Sequence, residues 1–255
     1  MKGDRAMTGY RATEIKDAVK EHYAQRAKGA SGCCDTTDTT ASQLYVEEQL
    51  KGLPDGALAA AAGCGNPTAL AGLKEGEAVL DLGSGGGIDC FLAARAVGPK
   101  GRVIGVDMTP DMVELARRNA RILRANNVEF HLAEMENVPL PDSSVNVVIS
   151  NCVVNLSPDK DAVFREAFRV LTPGGRLHVS DIVLHAPWPE GAQPDLENWA
   201  SCIGGAEPRD TYLARLRKAG FTDIALEQEA GRSYQAGDPL RQNAFSARVV
   251  ARKPA

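Results

Sequence analysis

Asp81-Leu82-Gly83-Ser84-Gly85-Gly86-Gly87 follows the apolar run Ala78-Val79-Leu80 and precedes Ile88 to Val97, a stretch with helix-like spacing. The order is strand, glycine turn and helix N-terminus, which predicts a nucleotide-cofactor loop. Glycines permit the tight turn and close approach to a ligand, because a Cβ would block one or the other. A dinucleotide loop reads G-x-G-x-x-G and faces a pyrophosphate with a helix N-terminus. Here the spacing is Asp81-x-Gly83-x-Gly85-x-Gly87, with an acid in front. That carboxylate repels a pyrophosphate and attracts a cation.

Outward from the loop, Arg102 to Asp107 reads as a second strand, and Asp107 lies at about the 20-residue distance expected of an acid that grips ribose hydroxyls. Thr109-Pro110-Asp111 looks like an N-cap with Pro at the first helical position, and Met112, Leu115, Ala116 and Ala120 form an apolar helical face. A third strand, Val128 to Ala133, ends at Glu134-Met135. The fourth, Val145 to Ser150, is nearly all β-branched or apolar, as a strand buried on both faces should be, and delivers Asn151 and Cys152 to the carboxyl edge. A helix around Val163 to Val170, the turn Pro173-Gly174-Gly175, a strand from Arg176 to Ile182 and a last strand from Phe245 to Arg252 complete the pattern.

The acidic glycine loop and the phrase "RVLTPGGRL" resemble the class I S-adenosylmethionine methyltransferases. The resemblance implies an α/β, Rossmann-like fold: a seven-stranded, mostly parallel sheet with helices on both faces. It also implies S-adenosylmethionine as cofactor. Asp81 would orient its amino-acid end, Gly83, Ser84, Gly85 and Gly87 would cradle it, Asp107 with Met108 would hold ribose, Glu134 and Met135 would meet adenine, and Asn151 would stand at the cofactor edge.

Charge and composition narrow the partners. Lys and Arg number 29 against 33 Asp and Glu, for a net charge of −4, and aromatic residues make up only 5%. Neither a phosphate-tracking surface nor a set of base-stacking platforms is evident, which argues against nucleic acid. Met1 to Lys20 is charged without an apolar core, and Ala57 to Ala62 is too short to span a bilayer, so a cytoplasmic protein with no membrane partner is expected. Gly29 to Ser42 and Gly231 to Asn243 read as mobile loops.

Six cysteines without a secretory leader argue against a disulfide framework and toward thiol chemistry. Cys90, beside Phe91 and Leu92 on the helix after the glycine loop, is most simply a small buried residue. Cys64, in Gly63-Cys64-Gly65-Asn66-Pro67, is expected on an accessible loop. Cys152 falls where open α/β sheets bind ligands, and Cys202 lies in the segment that would cap this edge. Structural zinc sites pair their ligands as C-x2-4-C, whereas these are scattered singly apart from the Cys33-Cys34 doublet.

The phrases GCGNP, DLGSGGGIDC, SNCVVNLSPDK and CIGGA, in this order, resemble the arsenic(III) S-adenosylmethionine methyltransferases over nearly the whole chain. The resemblance implies that Cys64, Cys152 and Cys202 bind trivalent arsenic, delivered as a thiol adduct. It implies a redox thiol at Cys33 or Cys34, reset by thioredoxin or glutathione. It divides the chain into an N-terminal helix and cysteine-bearing loop (1–60), a cofactor-binding core (61–185) and an arsenic-binding cap with the last strands (186–255). Glu207-Pro208 departs from the apolar continuation typical of that family. An ordinary small-molecule O- or C-methyltransferase and a non-enzymatic arsenic or S-adenosylmethionine sensor are the alternatives. His22, His131, His178 and His185 are expected to be structural, since arsenic(III) carries its own lone pair and needs no general base.

Overall fold

A computed structural model describes residues 9–29, 40–67, 71–188, 195–229 and 242–255. Strand β1 (Ala78–Leu82) lies between β2 (Arg102–Asp107) and β4 (Val145–Asn151); β3 (Val128–Leu132) flanks β2 and β5 (Leu171–Leu184) flanks β4, all parallel. Strand β8 (Ala244–Arg252) runs antiparallel between β5 and β7 (Thr222–Gln228). The order β3-β2-β1-β4-β5-β8-β7 gives the seven-stranded class I methyltransferase sheet that the sequence led us to expect. The two-residue strand β6 (Glu207–Pro208) adds an eighth beside β5, too short to leave a periodic signal.

Helices α1 (Ala12–Ala27), α2 (Thr40–Leu44), α3 (Glu47–Leu50) and α4 (Asp55–Ala59) precede the sheet. Helices α5 (Ile88–Val97), α6 (Pro110–Leu123), α7 (Lys160–Val170), α8 (Leu196–Ala200) and α9 (Arg209–Ala219) follow β1, β2, β4, β5 and β6 respectively. Side chains alternate across each strand, so both faces are apolar. Leu80, Ile104 and Val148 pack against Phe164 of α7 and Leu216 of α9, while Val79, Val103 and Val147 pack against Phe91 of α5 and Val113 of α6. Cutting Leu80, which is fully buried, to Ala should cost about 2–5 kcal/mol.

Two boundaries differ from expectation for a physical reason. Strand β5 starts at Leu171 because Leu171 pairs with Val145, and Pro173-Gly174-Gly175 is a bulge inside it, after which Val147 faces Arg176. Asn151 belongs to β4, paired with Ser180. Among the described residues no helix is long and apolar enough to cross a membrane.

Candidate functional site

The carboxyl ends of β1, β2 and β4 open into a cavity of about 840 Å³ including its mouth, within the range usual for small-molecule and cofactor sites. Asp81, Gly83, Ser84 and Gly85 line it from the first loop, Asp107 and Met108 from the second, Met135 from the third and Asn151 from the fourth. Gly83 has φ +70°, and a Cβ there would overlap Val153, so only glycine keeps this wall open.

The acids at the cavity floor are distinct in kind. Burial, and then the charge of nearby Asp89, push Asp81 well above the usual carboxylate range. Cys90 donates to Asp81 Oδ2 at 3.2 Å, so this thiol is more than the apolar filler expected from its neighbours. Asp107 accepts from Gly85 N at 2.9 Å through one oxygen and from Thr109 N at 2.8 Å through the other, thereby fixing both loops; burial raises its pKa. The donor set fits S-adenosylmethionine: paired acids for a sulfonium and an ammonium, a carboxylate for ribose, a glycine wall, and a buried Ser84 hydroxyl without a protein partner.

Two of the anticipated cofactor residues stand elsewhere. Glu134 does not line the cavity; its carboxylate meets Lys16 Nζ of α1 at 2.7 Å and Lys20 Nζ at 3.8 Å. Facing two lysines, it fastens the helix that roofs the cavity, and Ala133 and Met135 border the space instead. Gly87 sits behind the wall at the N-terminus of α5, where a Cβ would meet Phe91 and Phe130 at 2.9 Å. The roof itself was not legible: Val19 and Tyr23 of α1 and Tyr45, after α2, also line the cavity.

Beside this space the three scattered thiols meet. Cys64, Cys152 and Cys202 are buried in one cluster with Ile15, Val19 and Trp199. Burial corrects the expectation of an accessible Cys64. The flanking glycines serve close approach, because a Cβ on Gly63 would overlap Asn151 and one on Gly65 would overlap Ser180. Asn151 binds this loop directly: its Oδ1 accepts from Cys64 N at 3.0 Å and Gly65 N at 3.2 Å, and its Nδ2 donates to Gly65 O at 2.8 Å, Tyr45 Oη at 3.0 Å and Asp89 Oδ2 at 3.1 Å. Asn151 thus couples the cysteine loop to Asp89, one of the acids lining the cavity.

Cys152 and Cys202 are held at φ +62° and +69°, a region side-chain-bearing residues seldom occupy and one that accumulates at functional sites. Fixed contacts impose it. Cys152 N donates to Ser180 O at 2.7 Å, Cys202 N to Trp199 O at 3.0 Å, and Cys202 Sγ to Cys152 O at 2.8 Å. Hydrogen bonding with the Cys202 and Cys64 thiols, then burial, drives the Cys152 pKa well above the ordinary range; burial foremost raises Cys64. Tyr23 Oη lies 3.8 Å from Cys202 Sγ, which joins roof, cavity and thiols. Cys33 and Cys34 lie outside the described residues.

Asp181 is the acid the sequence reading passed over. It is fully buried on β5, its pKa raised to about 7 by burial, and one of its oxygens lies with the Cys64 and Cys152 sulfurs in a group whose members are all within 4.8 Å of one another. The signal was present as Ser180-Asp181, two polar residues inside the apolar run of a central strand. Glu207, the family departure, is taken up by Arg215 at 2.8 Å and does not line the cavity. Of the histidines, His178 is buried with its pKa lowered to about 4, by burial first and then by Arg176, so it stays neutral. His185 packs on Phe245, His22 on Tyr23, and His131 lies 3.3 Å from Glu129.

The chain is similar to several known proteins. A family profile described as "Methyltransferase domain" matches residues 73–237. An arsenite methyltransferase of Halobacterium salinarum is 45% identical over 95% of this chain, and the human arsenite methyltransferase is 32% identical over 84%. This chain spans 67% of the first relative's length and 60% of the second's. The crystal structure of an arsenic(III) S-adenosylmethionine methyltransferase from Chlamydomonas reinhardtii is 33% identical with a TM-score of 0.65, covering 93% of this chain and 73% of that one.

Proposed function

Because the chain belongs to the arsenite methyltransferase family, we propose that it methylates trivalent arsenic held by Cys64, Cys152 and Cys202, with S-adenosylmethionine in the adjoining cavity. The observation that carries this reading is the meeting of three thiols from distant segments beside the cofactor cavity.

Arsenic(III) enters as a thiol adduct. Each protein thiol forms one arsenic–sulfur bond as one carrier thiol leaves with the proton, so exchange is balanced without a net change of charge. Soft sulfur suits this soft centre, and thiolate is the ligating form. When bound, S-adenosylmethionine supplies a methyl group activated by its sulfonium. Arsenic forms the new carbon bond with its own lone pair, so the chain contributes position rather than a base. Alignment of this kind is worth about 7–11 kcal/mol where near-attack geometry is reached. Tyr23 and Asn151 stand at the boundary of the two spaces and define that alignment. Asp81 and Asp89 would hold the cationic end, and Asp107 the ribose.

Methylation oxidises arsenic from the trivalent to the pentavalent state. Its return takes two electrons from two thiolates, which become a disulfide; in our reading Cys33 or Cys34 joins Cys64 in that bond, and thioredoxin or glutathione resets it. This chemistry suits a reducing, cytoplasmic compartment. Incubation of pure protein with arsenite, glutathione and S-adenosylmethionine, followed by separation of arsenic species, should give methylated product. Cys152→Ser and Cys202→Ser should each abolish it. Binding of both ligands without product would indicate a sensor, and methylation of an alcohol or carbon acid in place of arsenic would indicate an ordinary methyltransferase.

A further inference from the structure

Trivalent arsenic uses three donors and keeps one direction for its lone pair, yet the cluster offers a fourth. Asp181 Oδ1 is saturated by Asn155 Nδ2 at 2.8 Å and Ile182 N at 2.9 Å, while Oδ2 receives a single long hydrogen bond, from Tyr212 Oη at 3.4 Å. Clamping a carboxylate by one oxygen is how a metal ligand is oriented by its surroundings. A carboxylate oxygen, Cys64 Sγ and Cys152 Sγ lie within 4.8 Å of one another, all buried, and Cys202 Sγ stands against Cys152. In a tetrahedral site with metal–sulfur bonds of about 2.3 Å the sulfurs are roughly 3.8 Å apart. For Cys64, Cys152 and Asp181 an adjustment of about 1 Å, available to cysteine χ1 rotation, therefore suffices, and Cys202 Sγ, outside that group and donating to Cys152 O at 2.8 Å, turns inward to become the fourth donor. The spacing rule that argues against zinc in the sequence applies to local motifs; here the sheet assembles the donors.

We propose that Cys64, Cys152, Cys202 and Asp181 also form a four-donor site for a divalent thiophilic cation of the zinc and cadmium class, which competes with arsenic(III) for the thiols. The site uses the thiols that the functional reading assigns to arsenic, and it adds the oxygen that arsenic leaves unused. Binding breaks three S–H bonds, forms three metal–sulfur bonds and one metal–oxygen bond, and releases the three thiol protons to solvent, together with the Asp181 proton where that carboxyl carries one; no electrons move. The buried ammonium of Lys160, close enough to Asp181 to act on its charge, offsets the excess negative charge of three thiolates and a carboxylate on a dication.

The test titrates cadmium chloride into the full chain carrying Cys33→Ser and Cys34→Ser, and follows cadmium–thiolate absorbance. One equivalent should saturate the signal, and arsenite–glutathione should then displace it. Asp181→Asn should weaken cadmium at least about tenfold while changing arsenic(III) affinity less than about twofold. Absence of a one-to-one complex, or equal losses for both ligands, would overturn the proposal. Should Asp181→Asn misfold, cadmium NMR of the parent chain distinguishes three sulfurs plus oxygen from sulfur-only ligation, and the latter also overturns it. Neither readout involves turnover, so a chain that binds cadmium through Asp181 and makes no methylarsenic refutes the enzymatic reading alone.

Discussion

Asn151→Asp is the sharpest probe of how the cysteine loop is tied to the acids lining the cavity. The substitution preserves shape and the two bonds accepted from Cys64 N and Gly65 N, but puts an acid 3.1 Å from Asp89 Oδ2, where an amide donates in the native chain. With both carboxyls charged, and at an effective dielectric of 20, repulsion at that distance is about 5 kcal/mol. That is equivalent to roughly 4 pH units. The pair therefore holds one shared proton through the neutral range, and the protonated carboxyl can donate to Asp89 as the amide did. At pH 6 the variant should bind arsenic(III) within about threefold of the parent, whereas by pH 9 the pair ionises and the loop is driven off its seat. Asn151→Ala is the control. It removes all five bonds at every pH, at about 1–3 kcal/mol for each buried partner left unsatisfied. Arsenic(III) affinity, read from the fluorescence of Trp199 beside Cys202 and normalised to the parent at each pH, checks both. A flat normalised profile for Asn151→Asp would refute the reasoning.

Cation binding against Asp81 should favour loss of its proton, because burial and then the charge of Asp89 raise its pKa in the free chain. Calorimetry of S-adenosylmethionine binding in buffers of different ionisation enthalpy should show proton release near neutral pH, absent in Asp81→Asn. Asp181 is raised from 3.8 to about 7, so its contribution to stability is fully present below pH 3.8 and is lost as pH rises through 7. The loss is about 4 kcal/mol. Asp181→Asn should accordingly flatten the fall in urea midpoint between pH 5 and pH 8, and an unaltered fall would contradict the assignment. Removing the hydroxyl that meets Cys202, in Tyr23→Phe, should speed arsenic(III) release about two- to tenfold, corresponding to about 0.5–1.5 kcal/mol; stopped-flow displacement by a dithiol measures it.

What the sequence disclosed and what it withheld divide by range. Strands β1, β2 and β4, the helix that begins at Pro110 and the glycine loop are local patterns, and each was legible to within a residue or two. The roof was not, because nothing in Ala12–Ala27 specifies that Val19 and Tyr23 lie over a cavity formed more than fifty residues on. For the same reason Glu134 invited the adenine reading: its position after β3 was visible, its lysine partners on α1 were not. The cysteine contexts singled out three thiols that the fold buries in one cluster, but Cys64 was assigned exposure from glycines whose purpose is contact with Asn151 and Ser180. Left-handed backbone at Cys152 and Cys202 carries no sequence signature, since it is imposed by neighbours rather than by residue type.

The hydroxyl of Ser246 on β8 donates to the carbonyl of Cys64 at 2.7 Å, a bond that spans 182 residues of chain. It sets a timetable for synthesis. Cys64 leaves the ribosome early, yet the strand that fixes its backbone emerges last among the elements around it, and β8 must insert between β5 and β7 before the clamp exists. A partly made chain therefore displays solitary thiols, and acquires the geometry of the clustered set at the final stage of sheet closure.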